Sequence, residues 1–257
     1  MAELRRLLIA PDRLKPGENT VELEPKEQHY LRRVLRLRPG DGCAVVDGVG
    51  HLWTAQLIDG QRLSFARGVD HPCVDEAAAV PRLGLAVVGV RRGMDEVMRM
   101  ACELGIDCIQ PLTSQWRTPQ AEDRPARWQT ILDEAVEQCE RLWTPVLQPT
   151  VEVKAWWGAL PDSRACAFAA TRQRAIPHFT DWLAGLGHPS KVDSPQQVWV
   201  TIGPEAGWSD LEQEEALRLG CGAVQLGKSI LRSSTAAVSA ATLLTTWRNA
   251  RSTESRL

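Results

Sequence analysis

Leu83-Gly84-Leu85-Ala86-Val87-Val88-Gly89-Val90 is an unbroken apolar run, and Met94, Val97, Met98, Ala101 and Leu104 follow it at helical spacing until Gly105. A strand with one wet face alternates polar and apolar residues, whereas a strand covered on both faces has no reason to. The run therefore predicts a parallel strand between two layers of helix, and the stripe predicts the helix that returns across the sheet. The same alternation continues downstream. Cys108–Leu112 reads as a second strand, and Trp128, Ile131, Leu132, Ala135 and Cys139 mark a long helix that ends before Pro145. Further strands are predicted at 165–170, 198–202 and 223–226, with helices near 176–186, 210–219 and 235–249. Residues 83–257 thus form an α/β domain with a mainly parallel sheet. Within it, 187–197 reads as a polar loop and 251–257 as a frayed tail.

Upstream the period changes. Residues 1–70 hold short strand-like runs at 7–10, 20–23, 43–46, 51–57 and 63–66, separated by turn residues, which predicts a small β-barrel. One helix interrupts them, with Leu31, Val34 and Leu35 on its inner side and Arg32, Arg33 and Arg36 on its outer side. Residues 71–82, with Pro72 and Pro81 at either end, read as a linker.

Composition narrows the function classes. A hydrophobic fraction of 44% with 24% charged residues is that of a globular chain with a real core. No apolar stretch approaches the roughly 20 residues that span a bilayer, and the charged opening Met1-Ala-Glu-Leu-Arg-Arg is unlike a signal peptide. Seven cysteines are scattered without a C-x-x-C pair, and the five histidines do not group with them. That pattern argues against zinc and disulfides and for reduced, buried thiols in a cytosolic protein. A net charge of −2 says nothing for or against nucleic acid, although the arginines at 32–38 form a local basic cluster. The ten tryptophans read as core and interface residues.

Two loops carry the candidate chemistry. Gly203-Pro204-Glu205-Ala206-Gly207-Trp208 follows the strand ending at Ile202, and Ser209-Asp210-Leu211-Glu212 after it has capping-box spacing. Leu226-Gly227-Lys228-Ser229-Ile230-Leu231-Arg232 follows the last strand and leads into Ser233-Ser234-Thr235-Ala236 and the final helix. Glycine-bearing turns at strand ends expose peptide groups to a ligand. The stretch Gly222 to Ser229 also matches the phosphate-loop pattern letter for letter. That motif requires a strand before its first glycine and a loop between its glycines, and here Ala223–Leu226, between them, is itself the strand.

Gly203-Pro204-Glu205-x-Gly207 followed by Leu226-Gly227-x-x-Ile230-Leu231-Arg232-x-x-Thr235-Ala236 resembles the signature of the RsmE family, uridine-N3 methyltransferases of small-subunit ribosomal RNA within the SPOUT class. The resemblance extends across nearly the whole chain. It includes Glu103-Leu104-Gly105-Ile106 with Pro111, Glu134-Ala135 with Gln138, Arg141 and Pro145, and Arg5-Arg6, His29 and Arg33-Val34-Leu35-Arg36. It implies a trefoil-knotted catalytic domain, a PUA-like N-terminal RNA-binding barrel, a cytoplasmic homodimer, and 16S ribosomal RNA or the small subunit as partner. It also implies S-adenosylmethionine held by Gly203, Pro204, Glu205, Gly207, Leu226, Gly227, Ile230, Leu231 and Thr235, with Thr171 bordering the pocket. Arg5, Arg6, His29, Arg33 and Arg36 would contact RNA.

The sequence departs from the family where Ala206 replaces a glycine, where Ser234 replaces an acidic residue, and where Arg99 or Met100 replaces a lysine. Uridine N3 carries a proton, so a cation beside O2 or O4 would stabilise the deprotonated base as charge develops. Arg232 is the candidate for that role, and a structural salt bridge is its competing explanation. Two other functions stay open: an RNA-binding protein that has lost activity, and a SPOUT methyltransferase of another RNA.

Overall fold

In the computed structural model, residues 4–116, 118, 120–121, 123–171, 175–187 and 195–254 are described, the side chains as far as residue 250. The chain divides into two compact units, one built from residues up to Ala78 together with Asp133–Thr144, the other from Ala79–Leu132 and Pro145 onward.

The first unit is a sheet of short strands: β1 (Arg6–Leu8), β2 (Thr20–Glu22), β3 (Gly42–Val46), β4 (His51–Leu57), β5 (Arg62–Phe65) and β6 (Val74–Asp75). Their order is β1-β3-β4-β5-β2, with β6 paired to β4. The linker predicted at 71–82 is therefore partly sheet. Cys73 N–H donates to the Leu52 carbonyl at 2.6 Å and sets β6 in register. Leu7, Ile9, Val21, Cys43, Val45, Trp53, Leu57, Leu63 and Phe65 form the core of this unit.

The helix predicted around Leu31 is distorted. It starts as α1 (Pro25–His29) and continues as a π-helical turn over Tyr30–Val34, closed by Leu35 N–H to the Tyr30 carbonyl at 2.9 Å. The wider turn advances each residue by less than an α-helix does. Leu31 stays buried, but Val34 rotates out and is 59% exposed, contrary to the inward face predicted for it.

Asp133–Thr144 joins this unit through specific bonds. Leu8 N–H donates to Glu137 Oε1 at 2.8 Å, Gly50 N–H to the Leu142 carbonyl at 3.0 Å, and Trp143 Nε1 to the Glu76 carbonyl at 3.0 Å.

The second unit is the expected α/β layer structure. Its strands are β7 (Arg82–Val88), β8 (Cys108–Thr113), β9 (Val146–Leu147), β10 (Val151–Glu152), β11 (Arg164–Ala169), β12 (Gln197–Ile202) and β13 (Gly222–Val224). Its helices are α2 (Met94–Leu104), α3 (Pro125–Cys139, entering the first unit at Asp133), α4 (Val153–Ala159), α5 (Phe179–Gly185), α6 (Asp210–Arg218) and α7 (Ser233–Glu254). All pairings in the sheet are parallel, in the order β10-β8-β7-β12-β11-β13 with β9 on β8.

Leu83, Leu85, Ala86, Val87 and Val88 of β7 are all fully buried, so both faces are covered as the continuous apolar run requires. Each such aliphatic side chain contributes about 1.5–3 kcal/mol by leaving water. Gly84 interrupts the run for a steric reason: it pairs with Trp199, and a Cβ there would lie 2.1 Å from the indole. Helix α2 buries Met94, Val97, Met98 and Ala101 and ends at Gly105, whose φ of 99° is the left-handed stop.

Four expectations change. Helix α4 was not predicted. The loop expected at 187–197 falls largely outside the described residues (188–194) and gives way to β12 at Gln197. The tail expected from Arg251 is helical as far as Glu254. Cysteine burial is uneven: Cys43, Cys102, Cys108, Cys166 and Cys221 are buried, Cys139 is half-buried and Cys73 is exposed. Burial pushes the Cys43 thiol up to about 12, so it stays protonated and inert.

Candidate functional site

Because every strand of the second sheet runs the same way, β7, β12, β11 and β13 deliver their C-terminal ends to one edge. The two glycine loops both leave from that edge, although their parent strands β12 and β13 are not neighbours. Strand β11 runs between them, pairing with β12 on one side and β13 on the other. Thr171, two residues past the end of β11, follows the strand that separates β12 from β13, and it is exposed.

The loop after β12 is a tight turn, with Gly207 N–H donating to the Pro204 carbonyl at 2.9 Å and Gly207 at φ 85°. Gly203 and Pro204 are buried, whereas Glu205 and Ala206 are exposed. A Cβ at Gly203 would sit 2.8 Å from the Trp208 ring, so the glycine is required by that packing. Trp208 Nε1 donates to the Ala169 carbonyl at 2.9 Å and the indole packs 5.3 Å from Trp157. Trp208 thus anchors the turn to β11, a role the sequence did not reveal.

The predicted capping box is present. Ser209 Oγ accepts from Glu212 N–H at 3.3 Å, and Ser209 N–H returns to Glu212 Oε2 at 2.9 Å. Glu212 is fully buried, and its other oxygen accepts Gln115 N–H at 2.9 Å. That second partner is distant in sequence and gave no local signal.

The loop after β13 is open. Leu226 and Leu231 are half-buried, and Gly227, Lys228, Ser229 and Ile230 are exposed, Ile230 by 64%. Among the described residues, no backbone hydrogen bond satisfies the N–H or C=O groups of Gly227–Leu231. Gly227 has φ 156°, and a Cβ there would meet nothing within 4 Å. The phosphate-loop alternative fails on geometry, because Gly222–Val224, between its two glycines, is a strand.

Arg232 and Thr235 are both exposed at the start of α7. The Arg232 guanidinium makes no ion pair or hydrogen bond among the described residues, and the salt bridge considered for it is not formed there. Ser234 faces Gly93, where a Cβ would approach its Cβ to 3.7 Å, so the loop after β7 borders the same helix start.

In the first unit, Arg5, His29, Arg33 and Arg36 are exposed, and the three arginines hold no ion pair among the described residues. Arg6 differs: it is half-buried, its guanidinium donates to the Glu140 carbonyl, and it pairs with the Glu140 carboxylate at 3.1 Å.

A family model for an RNA methyltransferase domain matches residues 80–245, and one for an RNA methyltransferase PUA domain matches residues 23–65. The chain is 33% identical over 234 residues to ribosomal RNA small subunit methyltransferase E of Synechocystis sp., covering 90% of this chain and 74% of the relative. The crystal structure of the methyltransferase E from Neisseria gonorrhoeae, bound to S-adenosylmethionine, is 28% identical, with TM-score 0.75 and coverage of 95% and 98% of the two chains. A Legionella pneumophila protein solved with bound S-adenosylmethionine is 25% identical, with TM-score 0.77 and the same coverage.

Proposed function

The chain belongs to the ribosomal RNA small subunit methyltransferase E family, and from that premise we propose that it methylates N3 of a uridine in 16S ribosomal RNA, using S-adenosylmethionine. The observation that carries the cofactor is the run Gly227–Leu231, whose free peptide groups fit a ligand recognised through its backbone contacts. The loop at 203–207 supplies a second rigid wall, and Leu226, Ile230 and Leu231 offer apolar surface for the adenine and the methionine carbons. Thr171 and Thr235 border the same space. The cofactor supplies an electrophilic methyl on a sulfonium, open to in-line attack.

The residues of this chain do the rest. Their first task is alignment, which by itself lowers the barrier of a two-reactant step. Their second is electrostatic: the unpaired guanidinium of Arg232 stabilises negative charge on the uracil oxygens as N3 loses its proton. With Ser234 where the family carries an acid, the proton passes to water. The exposed Arg5, Arg33 and Arg36, with His29, hold the RNA backbone, which positions the substrate without reading its sequence.

In this reading residues 1–70 belong to the PUA-like RNA-binding barrel and 83–257 to the SPOUT domain with its trefoil knot, while β6 extends the first sheet into the segment 71–82. The knot is supported by the path of α7, which leaves edge strand β13 yet packs against α2, α5, β7 and β12. The working form is a cytoplasmic homodimer. No helix among the described residues is long and apolar enough to cross a membrane. Ser234 favours one rival, a protein that binds RNA without modifying it.

Calorimetry tests the cofactor assignment, with S-adenosylmethionine binding at a single site per chain and ATP with magnesium giving no saturable heat. Tight magnesium-dependent ATP binding overturns it. Sedimentation showing only monomer at micromolar concentration removes the dimer.

A further inference from the structure

Five of the tryptophans, Trp53, Trp128, Trp156, Trp157 and Trp199, are no more than 8% exposed, but Trp116 is 50% exposed. Exposure of one aromatic residue is ordinary in itself. Its placement is not. Trp116 lies three residues past the end of β8, so it emerges from the same sheet edge as the loops at 203–207 and 226–232. Its backbone is fixed there by Glu212, whose carboxylate accepts Gln115 N–H on one oxygen and Ser209 N–H and Oγ–H on the other, all at 2.9 Å. A fully buried carboxylate with three donors is satisfied and expensive to disturb. One side chain therefore clamps the loop that carries Trp116 to the loop that begins at Gly203.

The loop after the neighbouring strand carries two arginines. The neighbouring strand β7 ends at Val88, and Arg91 and Arg92 lie just beyond it, both exposed and without an ion pair among the described residues. Gly89 N–H donates to the Leu112 carbonyl at 3.0 Å and ties the start of that loop to β8. An exposed indole on a clamped loop beside unpaired arginines suits a nucleobase, which offers a flat π-face on a negatively charged backbone.

We propose that Trp116 stacks on a base of the substrate RNA at the methyl-transfer site, a specificity contact made by the second unit itself. The proposal rests on the methyltransferase reading above. A uridine inside a duplex cannot present N3, so the target base or its neighbour must leave the stack, and an aromatic face beside the cofactor loops compensates for that loss.

The test is a titration of a fluorescently labelled fragment of small-subunit ribosomal RNA with wild type, Trp116→Ala and Trp116→Phe, read by anisotropy. Methyl-transfer kinetics and sedimentation are measured on the same samples. Trp116→Ala is expected to weaken RNA binding and raise KM for RNA by about 5- to 150-fold. Trp116→Phe recovers most of the loss, and KM for S-adenosylmethionine does not move. RNA affinity and KM unchanged in Trp116→Ala overturn the proposal. So does a loss that phenylalanine fails to rescue and that accompanies dissociation into monomers, which assigns Trp116 to a contact with a second copy. Because binding is read without turnover, a wild type that binds RNA but transfers no methyl counts against the catalytic reading and leaves the stacking result intact.

Discussion

The Trp208 indole nitrogen donates to the Ala169 carbonyl oxygen at 2.9 Å, fastening the Gly203–Trp208 turn to the end of β11. Trp208→Phe removes the donor together with part of the ring that packs on Trp157, and the loss of a partner for that carbonyl alone costs about 1–3 kcal/mol. Affinity for S-adenosylmethionine, read by calorimetry, is expected to fall several-fold while the fold persists. Gly203→Val acts differently from a simple loop change, because its Cβ would lie 2.8 Å from the Trp208 ring and displace it. Gly227→Ala meets no neighbour within 4 Å but forces a side chain onto a backbone at φ 156°, so it probes the conformation of the second loop rather than its packing. Full affinity in both Trp208→Phe and Gly227→Ala removes these loops from the cofactor site.

The parts of this fold that were legible in the sequence are those governed by local rules. The uninterrupted run at 83–88 gave a doubly covered strand, Gly105 gave the end of α2, and Ser209 with Glu212 gave a capping box. What escaped depends on partners far along the chain. The placement of β12 between β7 and β11, and of β11 between β12 and β13, is a matter of topology that no local pattern records. Val34 faces water because of a π-turn that periodicity at 3.6 residues cannot register. Helix α4 hid in Glu152-Val-Lys-Ala-Trp-Trp-Gly-Ala159, too short for a repeating stripe and started by a glutamate that caps Ala155 N–H. Around the candidate site, the two glycine turns were readable, but the anchoring of Trp208, the exposure of Trp116 and the Gln115–Glu212 bond were not.

Arg232→Ala separates catalysis from binding. The guanidinium is exposed and unpaired among the described residues, so its removal breaks no structural contact there. Single-turnover methyl transfer is expected to slow by about 100-fold or more, with RNA and S-adenosylmethionine affinities held. A normal single-turnover rate assigns the activation of uridine to another group.

The arginines of the first unit divide into two kinds. Neutralising two of Arg5, Arg33 and Arg36 should weaken RNA binding and flatten its salt dependence, the slope falling by about 0.7 to 0.9 per lost phosphate contact. Arg6→Ala should instead lower thermal stability, because that guanidinium is engaged by Glu140. An unchanged salt slope in the double variant marks Arg5, Arg33 and Arg36 as a solvated face.

Glu137 introduces a pH dependence. Burial pushes its carboxyl up to about 7 from an ordinary 4.5, with the Leu8 N–H opposing the shift and Asp133 and Glu134 adding to it. A carboxyl raised in the folded state favours folding fully below its unfolded value, and that contribution is lost as pH rises from about 4.5 through about 7. Glu137→Gln keeps an acceptor for Leu8 and removes the charge. Its Tm is expected to exceed that of the wild type by a few degrees at pH 8 and to match it at pH 4. A constant difference across that range excludes Glu137 as the titrating group.

The most direct measurement incubates the purified protein with S-adenosylmethionine carrying a labelled methyl group and small ribosomal subunits from a strain lacking the corresponding enzyme. The 16S RNA is then digested and mapped by mass spectrometry. A single labelled 3-methyluridine at one position, formed by wild type and strongly reduced in Arg232→Ala, is the expected result. Label on another nucleotide or another RNA reassigns the substrate, and the absence of label from a protein that binds both cofactor and RNA makes the chain a binding protein.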